Sequence, residues 1–489
     1  MLTAGLGLWI KDSVRFHSVS VGQDHCLALT NLGSVFAWGA ASKGRLGLGA
    51  EVVDNQTHPT LVLGGLAGLR IREVAAGHDF SYAASTSGTL YAWGCNDSPG
   101  LLGVGDTIDR WEPCEVTALR EHPVAVLAVQ HNTTVVVANE GAKVFCWGNL
   151  EVCGNGKLRM VDRPSPVEMD IEGLDDGERI CSAAAGRFHA VIASDAGRVW
   201  TWGRGRAGRL GLGKDKEQVK LKVSPTAIAA ESWGDDAATR TAAKRVFCQD
   251  DFVFATAGHD AVFAWGCNDF PGKLGLGDTK DRYEPTRLVQ GDGDGSALPP
   301  VAYFTGKLAV TKDGAAYHMS KEVQPFVAVP PGQTVAHVSS ATPDRILCLP
   351  RLMRWCTGQA CAAIGRGFAV SDTGQLYSFT MPRTHKAGGA EDPYGAPRSI
   401  TAPQMVPLTF GRVCAAPELT EIHWTSLRAV AGACDKPSSL RLGGALTLWP
   451  VAAQRVAERG SKGGLFIRNG LIGTCGHPSN ARPAAAAVK

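Results

Sequence analysis

Residues 33–49 read GSVFAWGAASKGRLGLG: a short apolar strand ending at Trp38-Gly39, a polar loop, then a Gly-x-Leu-Gly-x-Gly turn. The stretch comes back. Residues 88–105 read GTLYAWGCNDSPGLLGVG, residues 197–213 read GRVWTWGRGRAGRLGLG, and residues 259–277 read HDAVFAWGCNDFPGKLGLG. A shorter copy, AKVFCWGNLEVCGNG, occupies residues 142–156. Self-similarity at a fixed period sets the fold before any local reading does.

Outward from that stretch the pattern is one of short strands. FHSVSVGQDHCLALTNLGSVFAWG, residues 16–39, alternates through Val19 and Val21, then 26–29, then 35–38, giving three strands with a turn at Asn31-Leu32-Gly33. Leu61-Val62 supplies an edge strand, and the second copy, 74–94, closes near Pro113 and Val116. Copies three to five cover 126–148, 182–203 and 246–266. Trp38, Trp93, Trp147 and Trp202 follow one another at 55, 54 and 55 residues, but Trp265 comes 63 after Trp202. The longer step implies an insertion at 214–245, with ESWGDDAATRTAAKR as its exposed part.

Past residue 290 the pattern decays. GDGDG at 291–295 reads as a loop. Residues 301–319 keep strand–turn–strand with Tyr317 near the tryptophan position, and 363–379 do so with Tyr377 and Phe379. Residues 335–355 read as half a repeat or a whole shortened one, and 427–451 as a last strand pair, with a long polar loop at 382–403. From Asp435 onward the chain carries eight Lys or Arg against two acidic residues.

A unit of about 50 residues with four short strands cannot bury both faces of its sheet alone, but stacked around an axis each sheet covers its neighbour. The expected fold is therefore all-β, a single β-propeller of about seven blades of four antiparallel strands, with degenerate blades in the C-terminal half. Five good copies and two or three poor ones leave six and eight as the neighbouring counts. The expected layout is an N-terminal segment at 1–15, the propeller at 16–451 and a basic tail at 452–489. Trp38-Gly39, Trp93-Gly94, Trp147-Gly148, Trp202-Gly203 and Trp265-Gly266 are its structural anchors, since one buried indole per blade is a large packing contribution.

The pattern resembles the regulator of chromosome condensation repeat family, whose consensus runs V-x-A-G-x-x-H-x-x-A-L-x-x-x-G-x-V-Y-x-W-G-x-N-x-x-G-Q-L-G-x-G. Gly22, His25, Ala28, Leu29, Gly33, Val35, Trp38, Gly39, Gly44, Leu46, Gly47 and Gly49 match in the first copy. Gly77, Gly88, Tyr91, Trp93, Gly94, Asn96, Gly100, Leu102, Gly103 and Gly105 match in the second, and Gly186, His189, Gly197, Trp202, Gly203, Gly208, Leu210, Gly211 and Gly213 in the fourth. The resemblance is specific over 16–290 and thin over 300–451. It implies seven blades.

Composition narrows the function. With 49 basic and 46 acidic residues, net +3, nothing demands nucleic acid or an anionic membrane. The 59 glycines suit frequent tight turns. No 18-residue apolar run exists, so no membrane span is expected. The fourteen cysteines form no C-x-x-C pair, and those at Cys26, Cys146, Cys248 and Cys348 sit in strand-like runs as small apolar residues. Free thiols in that number point to a reducing, intracellular setting; within it the family resemblance implies cytoplasm or cilium and cytoskeleton first, with mitochondrion and nucleus as alternatives. Residues 1–16 show no signal-peptide layout, and Met1 is expected to be retained.

Candidate chemistry resolves into structure. Gly203, Gly205 and Gly208 spell G-x-G-x-x-G, but no helix follows and the same glycines punctuate every repeat. His25 and His189 share one repeat position, which suits blade hydrogen bonds. Cys356 and Cys361 have no second pair to complete a zinc site, and GDGDG lacks the glutamate and spacing of a calcium loop. No cofactor, metal or catalytic residue is expected, and the chain is not expected to be an enzyme. The sequons at Asn55, Asn96 and Asn132 carry little weight without a signal peptide.

The candidate partner-binding residues are Arg204, Arg206, Arg209, Lys214, Lys216, Lys220 and Lys222 in the basic stretch, Trp233 in the insertion, and Arg468 and Arg482 in the tail. The leading reading is a non-enzymatic interaction propeller serving as a structural subunit of a larger assembly, because loops on a rigid scaffold carry binding; the family resemblance implies a ciliary, cytoskeletal or mitochondrial-ribosome type of assembly. Its partners are other proteins; nucleic acid contact is expected only through the basic loop or tail. The family resemblance also implies a second reading, guanine-nucleotide exchange on a Ran-like small GTPase, with 214–245 as the place to look. Plant relatives include tryptophan-based light sensors, but their G-W-R-H-T signature is replaced here by GQDHC, GHDFS and GRFHA. A ubiquitin-ligase relative would need a further catalytic domain.

Overall fold

The computed structural model describes residues 15–97, 100–148, 164–213, 220–233, 243–258, 261–269, 272–288, 300–305, 308–319, 323–326, 332–340, 366–380, 404–405, 440–442, 446–448, 463–468 and 471–476. Blade 1 shows how the sequence becomes a sheet. Strands β1 (Phe16–Val21), β2 (His25–Thr30), β3 (Val35–Gly39) and β4 (Gln56–Leu61) hydrogen-bond in that order, all antiparallel. β2 and β3 are buried along their whole length, so both read as near-continuous apolar runs, while β4 is half exposed. Six further sheets repeat this order, at 71–115, 124–168, 180–227, 245–287, 301–326 and 335–405. The first strand of each blade packs against the first strand of the next, and β1 packs against the first strand of blade 7, which closes the ring. The fold is a single seven-bladed β-propeller.

The ring settles the readings past residue 290. Blade 6 is complete at 301–326, and Tyr317 pairs with Ala309 as Trp93 pairs with Ser81, which is the tryptophan position. Val335–Ser340 is the first strand of blade 7, whose outermost strand ends at Met405. The pair Leu440–Leu442 and Leu446–Leu448 forms its own two-stranded sheet, as does the pair Gly463–Arg468 and Leu471–Gly476. The 214–245 insertion is smaller than its spacing suggested. Leu221–Ala227 is the fourth strand of blade 4, and Ala230–Trp233 is a 3-10 turn packed beside the outer strand of blade 5. The 382–403 loop lies outside the described residues.

Two joints recur between blades. At one face, the turn glycine after the second strand of blades 1, 2, 4 and 6 accepts a hydrogen bond from the next blade: Ile71 N to Gly33 O (3.0 Å), Val124 N to Gly88 O (2.9 Å), Ala243 N to Gly197 O (3.1 Å) and Val335 N to Gly314 O (2.9 Å). The closing joint repeats it, with Phe16 N to Gly374 O at 2.9 Å. At the other joint the exit turn of one blade seats on the indole of the next. Trp93 Nε1 donates to Arg45 O (3.0 Å), and Trp147 Nε1 to Leu101 O (3.1 Å). Gly47, Gly103 and Gly211, all at positive φ, lie so close to Trp93, Trp147 and Trp265 that a Cβ would sit 2.7–2.9 Å from Nε1.

The indoles of Trp93, Trp147, Trp202 and Trp265 are at most 1% exposed, and Trp38 is 3% exposed. The glycine after each one has φ between 93° and 110°, a conformation that costs other residues. Asn96 and Asn268 are fully buried and clamp the exit turns. Asn96 Oδ1 accepts from Leu102 N (2.8 Å) while its Nδ2 donates to Asp106 O (2.8 Å), and Asn268 does the same with Leu274 and Asp278. The sequon at Asn96 is thus enclosed. Six described cysteines are free thiols, whereas buried Cys146 is disulfide-bonded, so the reading of the cysteines as free does not extend to it.

Candidate interaction face

In blades 1 to 5 the turns between first and second strands bring one short tip each to the same end of the ring. They are short because the hairpin leaves two residues between paired ends, and at His131 (φ 48°) and Asp250 (φ 44°) the backbone is left-handed. The tips bond to one another across blades. Gln23 N donates to His78 O (3.4 Å), His78 N to His131 O (3.1 Å), and Arg187 N to Asp250 O (2.8 Å). His131 Nε2 and Asp250 Oδ1 lie 2.7 Å apart, linking blade 3 to blade 5 past blade 4. His78 Nδ1 is 3.0 Å from Asp79 Oδ2, and the His78 and His131 rings are 6.2 Å apart. Five blades thereby contribute to one hydrogen-bonded polar collar.

Beneath the collar lie buried charges. Arg45 is 5% exposed and sits between Asp79 (2.8 Å) and Asp24 (3.6 Å). His25 Nε2 meets Ser81 Oγ at 2.8 Å, and that hydroxyl is 2.9 Å from Arg45 O. Burial, aided by the Arg45 guanidinium, lowers His25 to about 3, so its ring is neutral at physiological pH. His189 holds the same position in blade 4 and is likewise lowered to about 3 by burial and Arg209. Neither of its ring nitrogens finds a protein partner, because Val253 stands where Ser81 does. The shared-role reading of the two histidines therefore holds for His25 and not for His189.

The basic stretch divides. Arg204 and Arg206 are exposed, Lys220 is exposed, and Lys222 is half-buried opposite Gly203 in the blade 4 sheet. Arg209 is 4% exposed and pairs with Asp251 at 3.2 Å, so it is a structural cation rather than a surface one. Trp233 packs edge-on against Phe263 (5.1 Å) and Trp265 (5.8 Å), inside the joint between blades 4 and 5. Lys214, Lys216 and Arg482 lie outside the described residues, and Arg468 lies on the strand Gly463–Arg468. Sequence reasoning missed Arg187 and Phe188, whose signal was present: GRFHA breaks the pattern of GQDHC and GHDFS.

Among the described residues one donor cluster could suit a metal. Cys95, Asp97 and Asp109 bring three donor atoms within 4.8 Å of one another. Their chemistry is already engaged: the Lys43 ammonium bonds Asp97 and lies 3.4 Å from Cys95 Sγ, and Asp109 accepts from Asn96 N at 2.7 Å. The hydrogen bond from Lys43 holds Asp97 below the usual carboxylate range. The cluster reads as a loop clamp. Among the described residues no helix is long and apolar enough to cross a membrane.

Models of the regulator of chromosome condensation (RCC1) repeat match residues 33–84, 87–137 and 196–255, and a second model of that repeat matches 16–45, 71–98 and 180–209. The chain is an RCC1-like β-propeller. This propeller is 33% identical to the human E3 ubiquitin-protein ligase HERC2 over 289 residues, covering 58% of the chain and 6% of HERC2. It is 30% identical to the ultraviolet-B receptor UVR8 of Arabidopsis thaliana over 288 residues, covering 58% of the chain and 60% of UVR8. The chain thus spans less than two thirds of either relative. Among solved structures, yeast RCC1 (Prp20) bound to Kap60 superposes with a TM-score of 0.53 at 19% identity, covering 66% of this chain and 77% of that one. Human WBSCR16 gives 0.50 at 24% identity, covering 57% and 68%. At these identities the likeness is one of fold.

Proposed function

We propose that this chain is a non-enzymatic interaction propeller, a structural subunit that holds other proteins within an intracellular assembly. The observation that carries the reading is the collar of Gln23, His78, His131, Arg187 and Asp250, polar tips from five blades fixed by cross-blade hydrogen bonds on a closed ring. Such a surface binds with little ordering cost, since its groups are already held. Beneath it, Arg45 and Arg209 are spent on carboxylates and His25 on Ser81. Similarity to RCC1-repeat proteins supports a binding role, and yeast Prp20, alike in fold, is crystallised with Kap60 bound. The test is purification of the tagged protein from its native cells. Recovery in a defined multi-protein complex supports the reading, and recovery as a lone monomer overturns it.

The second reading is guanine-nucleotide exchange on a small GTPase. Its support is the fold likeness to Prp20, a protein studied for its binding to Gsp1p. Exchange needs a surface that displaces nucleotide rather than side-chain chemistry. A nucleotide-release assay separates the two, because a scaffold leaves release unaccelerated.

A further inference from the structure

One repeat position gives each tip of the collar its chemistry. Gln23, His78, His131, Arg187 and Asp250 each stand two residues before the second strand of blades 1 to 5. Of these five blades only 2 and 3, which are neighbours, carry histidine there. Their tips are joined through the backbone, His78 N to His131 O, and the two rings lie 6.2 Å apart with their planes at 35°. Each ring turns one nitrogen to a carboxylate: His78 Nδ1 is 3.0 Å from Asp79 Oδ2, and His131 Nε2 is 2.7 Å from Asp250 Oδ1. A carboxylate only accepts, so in the neutral ring that nitrogen carries the proton. The other one, Nε2 of His78 and Nδ1 of His131, keeps its lone pair.

We propose that His78 and His131 are the protein ligands of a divalent transition ion of the zinc class, held between the tips of blades 2 and 3, with Asp79 and Asp250 behind the rings. Histidines that ligate metals are commonly held in this way, the second ring nitrogen donating to a carboxylate that fixes the tautomer and raises the basicity of the ligating one. Two imidazoles on one ion, at metal–nitrogen bonds of about 2.0–2.1 Å, have ring centres roughly 5–6.5 Å apart. The observed 6.2 Å falls inside that range. The backbone bond between the tips fixes their spacing beforehand, so the ion has little chain to order. The side chains of His78 and His131 are 38% and 24% exposed, which leaves the ion a way in and room for water at its remaining positions.

Charge and ligand type both favour such an ion. The tips of blades 1 to 3, GQD, GHD and QHN, hold no lysine or arginine. Beneath them Arg45 faces both Asp24 and Asp79, which leaves one carboxylate in excess, and Asp250 adds another. Imidazole nitrogen selects zinc, copper or nickel over magnesium and calcium, which take oxygen. The cluster at Cys95 is a different case, because the Lys43 ammonium already fills it. The sequence leads to no metal because the two histidines stand a whole repeat apart, and only the ring brings them together. The site goes beyond the interaction reading and is tested without any partner.

The experiment titrates the full-length protein with zinc chloride by calorimetry, and with magnesium chloride in parallel. Other histidines and thiols of the chain bind zinc in wild type and variants alike, so the difference between them is read. H78N/H131Q is the deciding variant: Asn and Gln keep an amide donor near Nδ1 of His78 and Nε2 of His131, toward Asp79 and Asp250, and remove the ligating nitrogens. It is expected to lose one zinc equivalent relative to wild type. C95S, at the lysine-filled cluster, is expected to keep it, and magnesium is expected not to bind there. Should the double variant fail to fold by thermal unfolding, H78N alone decides, with zinc affinity at that site falling at least the roughly tenfold that loss of an outer hydrogen-bond partner costs a metal site. Zinc stoichiometry and affinity equal to wild type in the histidine variant, loss of the same equivalent in C95S, or competition by magnesium for that equivalent overturns the proposal. The interaction reading stands or falls separately, on whether the protein purifies in a complex.

Discussion

Trp38 and Phe368 meet edge to face, their ring centroids 5.3 Å apart and their planes at 78°, across the joint between the first and last blades. Among the described residues no strand is exchanged there. Each blade is built from consecutive residues, so the ring is held shut by this packing and by the Phe16–Gly374 hydrogen bond. Trp38→Ala is expected to lower unfolding stability by about 3–5 kcal/mol, as for other buried tryptophans. The informative measurement is a double-mutant cycle with Phe368→Ala in urea. A coupling of about 0.5–1.5 kcal/mol is expected for an aromatic pair in contact; strictly additive losses would show that the joint is held elsewhere.

Gly47 and Gly68 separate two reasons for glycine. Their φ values are +67° and +78°, but a Cβ on Gly47 would meet Trp93 Nε1 at 2.7 Å, whereas one on Gly68 meets nothing within 4 Å. Gly68→Ala therefore costs only the left-handed backbone, about 1 kcal/mol. Gly47→Ala adds overpacking against a buried indole, a further 1–3 kcal/mol or so. Comparable melting temperatures for the two variants would contradict the seating of the exit turn on the next tryptophan.

The repeat made the ring legible because its signals are local: a tryptophan in each of the first five blades, glycines where φ is positive, an asparagine at each clamped exit turn. Blades 6 and 7 were harder because Tyr317 replaces the indole and Met319 packs on Gly275 in its stead. The insertion was overestimated because spacing alone cannot tell an added loop from the blade's own strand Leu221–Ala227. At the candidate site, Arg209 looked like its neighbours Arg204 and Arg206 in a basic run. Only the next blade, which brings Asp251 to it, makes it a buried ion. Phe188 carries no charge, so a search for basic residues passes it by.

Acid should weaken the ring through its buried histidines. Burial first, then Arg45 or Arg209, lowers His25 and His189 to about 3. The unfolded chain takes up both protons from pH 6.5 downward while the folded chain does not. Their contribution is thus complete above pH 6.5 and is lost as pH falls toward 3, at about 1.4 kcal/mol per pH unit for each histidine. Denaturant titrations between pH 7 and pH 5 should show the slope of stability against pH reduced by about that amount in His25→Gln. An unchanged slope would mean that the histidine is protonated in the fold.

His189 permits the opposite kind of test, a substitution that supplies what the fold lacks. In blade 1 the ring of His25 meets Ser81, the residue paired with Trp93; in blade 4 the equivalent residue is Val253, paired with Trp265, and the ring of His189 is left without a protein partner. Val253→Thr keeps the branched shape and adds a hydroxyl at the position from which Ser81 reaches His25. Burying a hydroxyl without a partner ordinarily costs about 1–3 kcal/mol, and a satisfied hydrogen bond returns roughly 0.5–1.5 kcal/mol net. Val253→Thr should therefore fall close to wild type in urea midpoint, whereas Val191→Thr, at an equally buried position in the strand of His189, should show the full loss. Equal destabilisation by the two would show that the hydroxyl does not reach the histidine and that the blade 4 joint is shaped differently from that of blade 1.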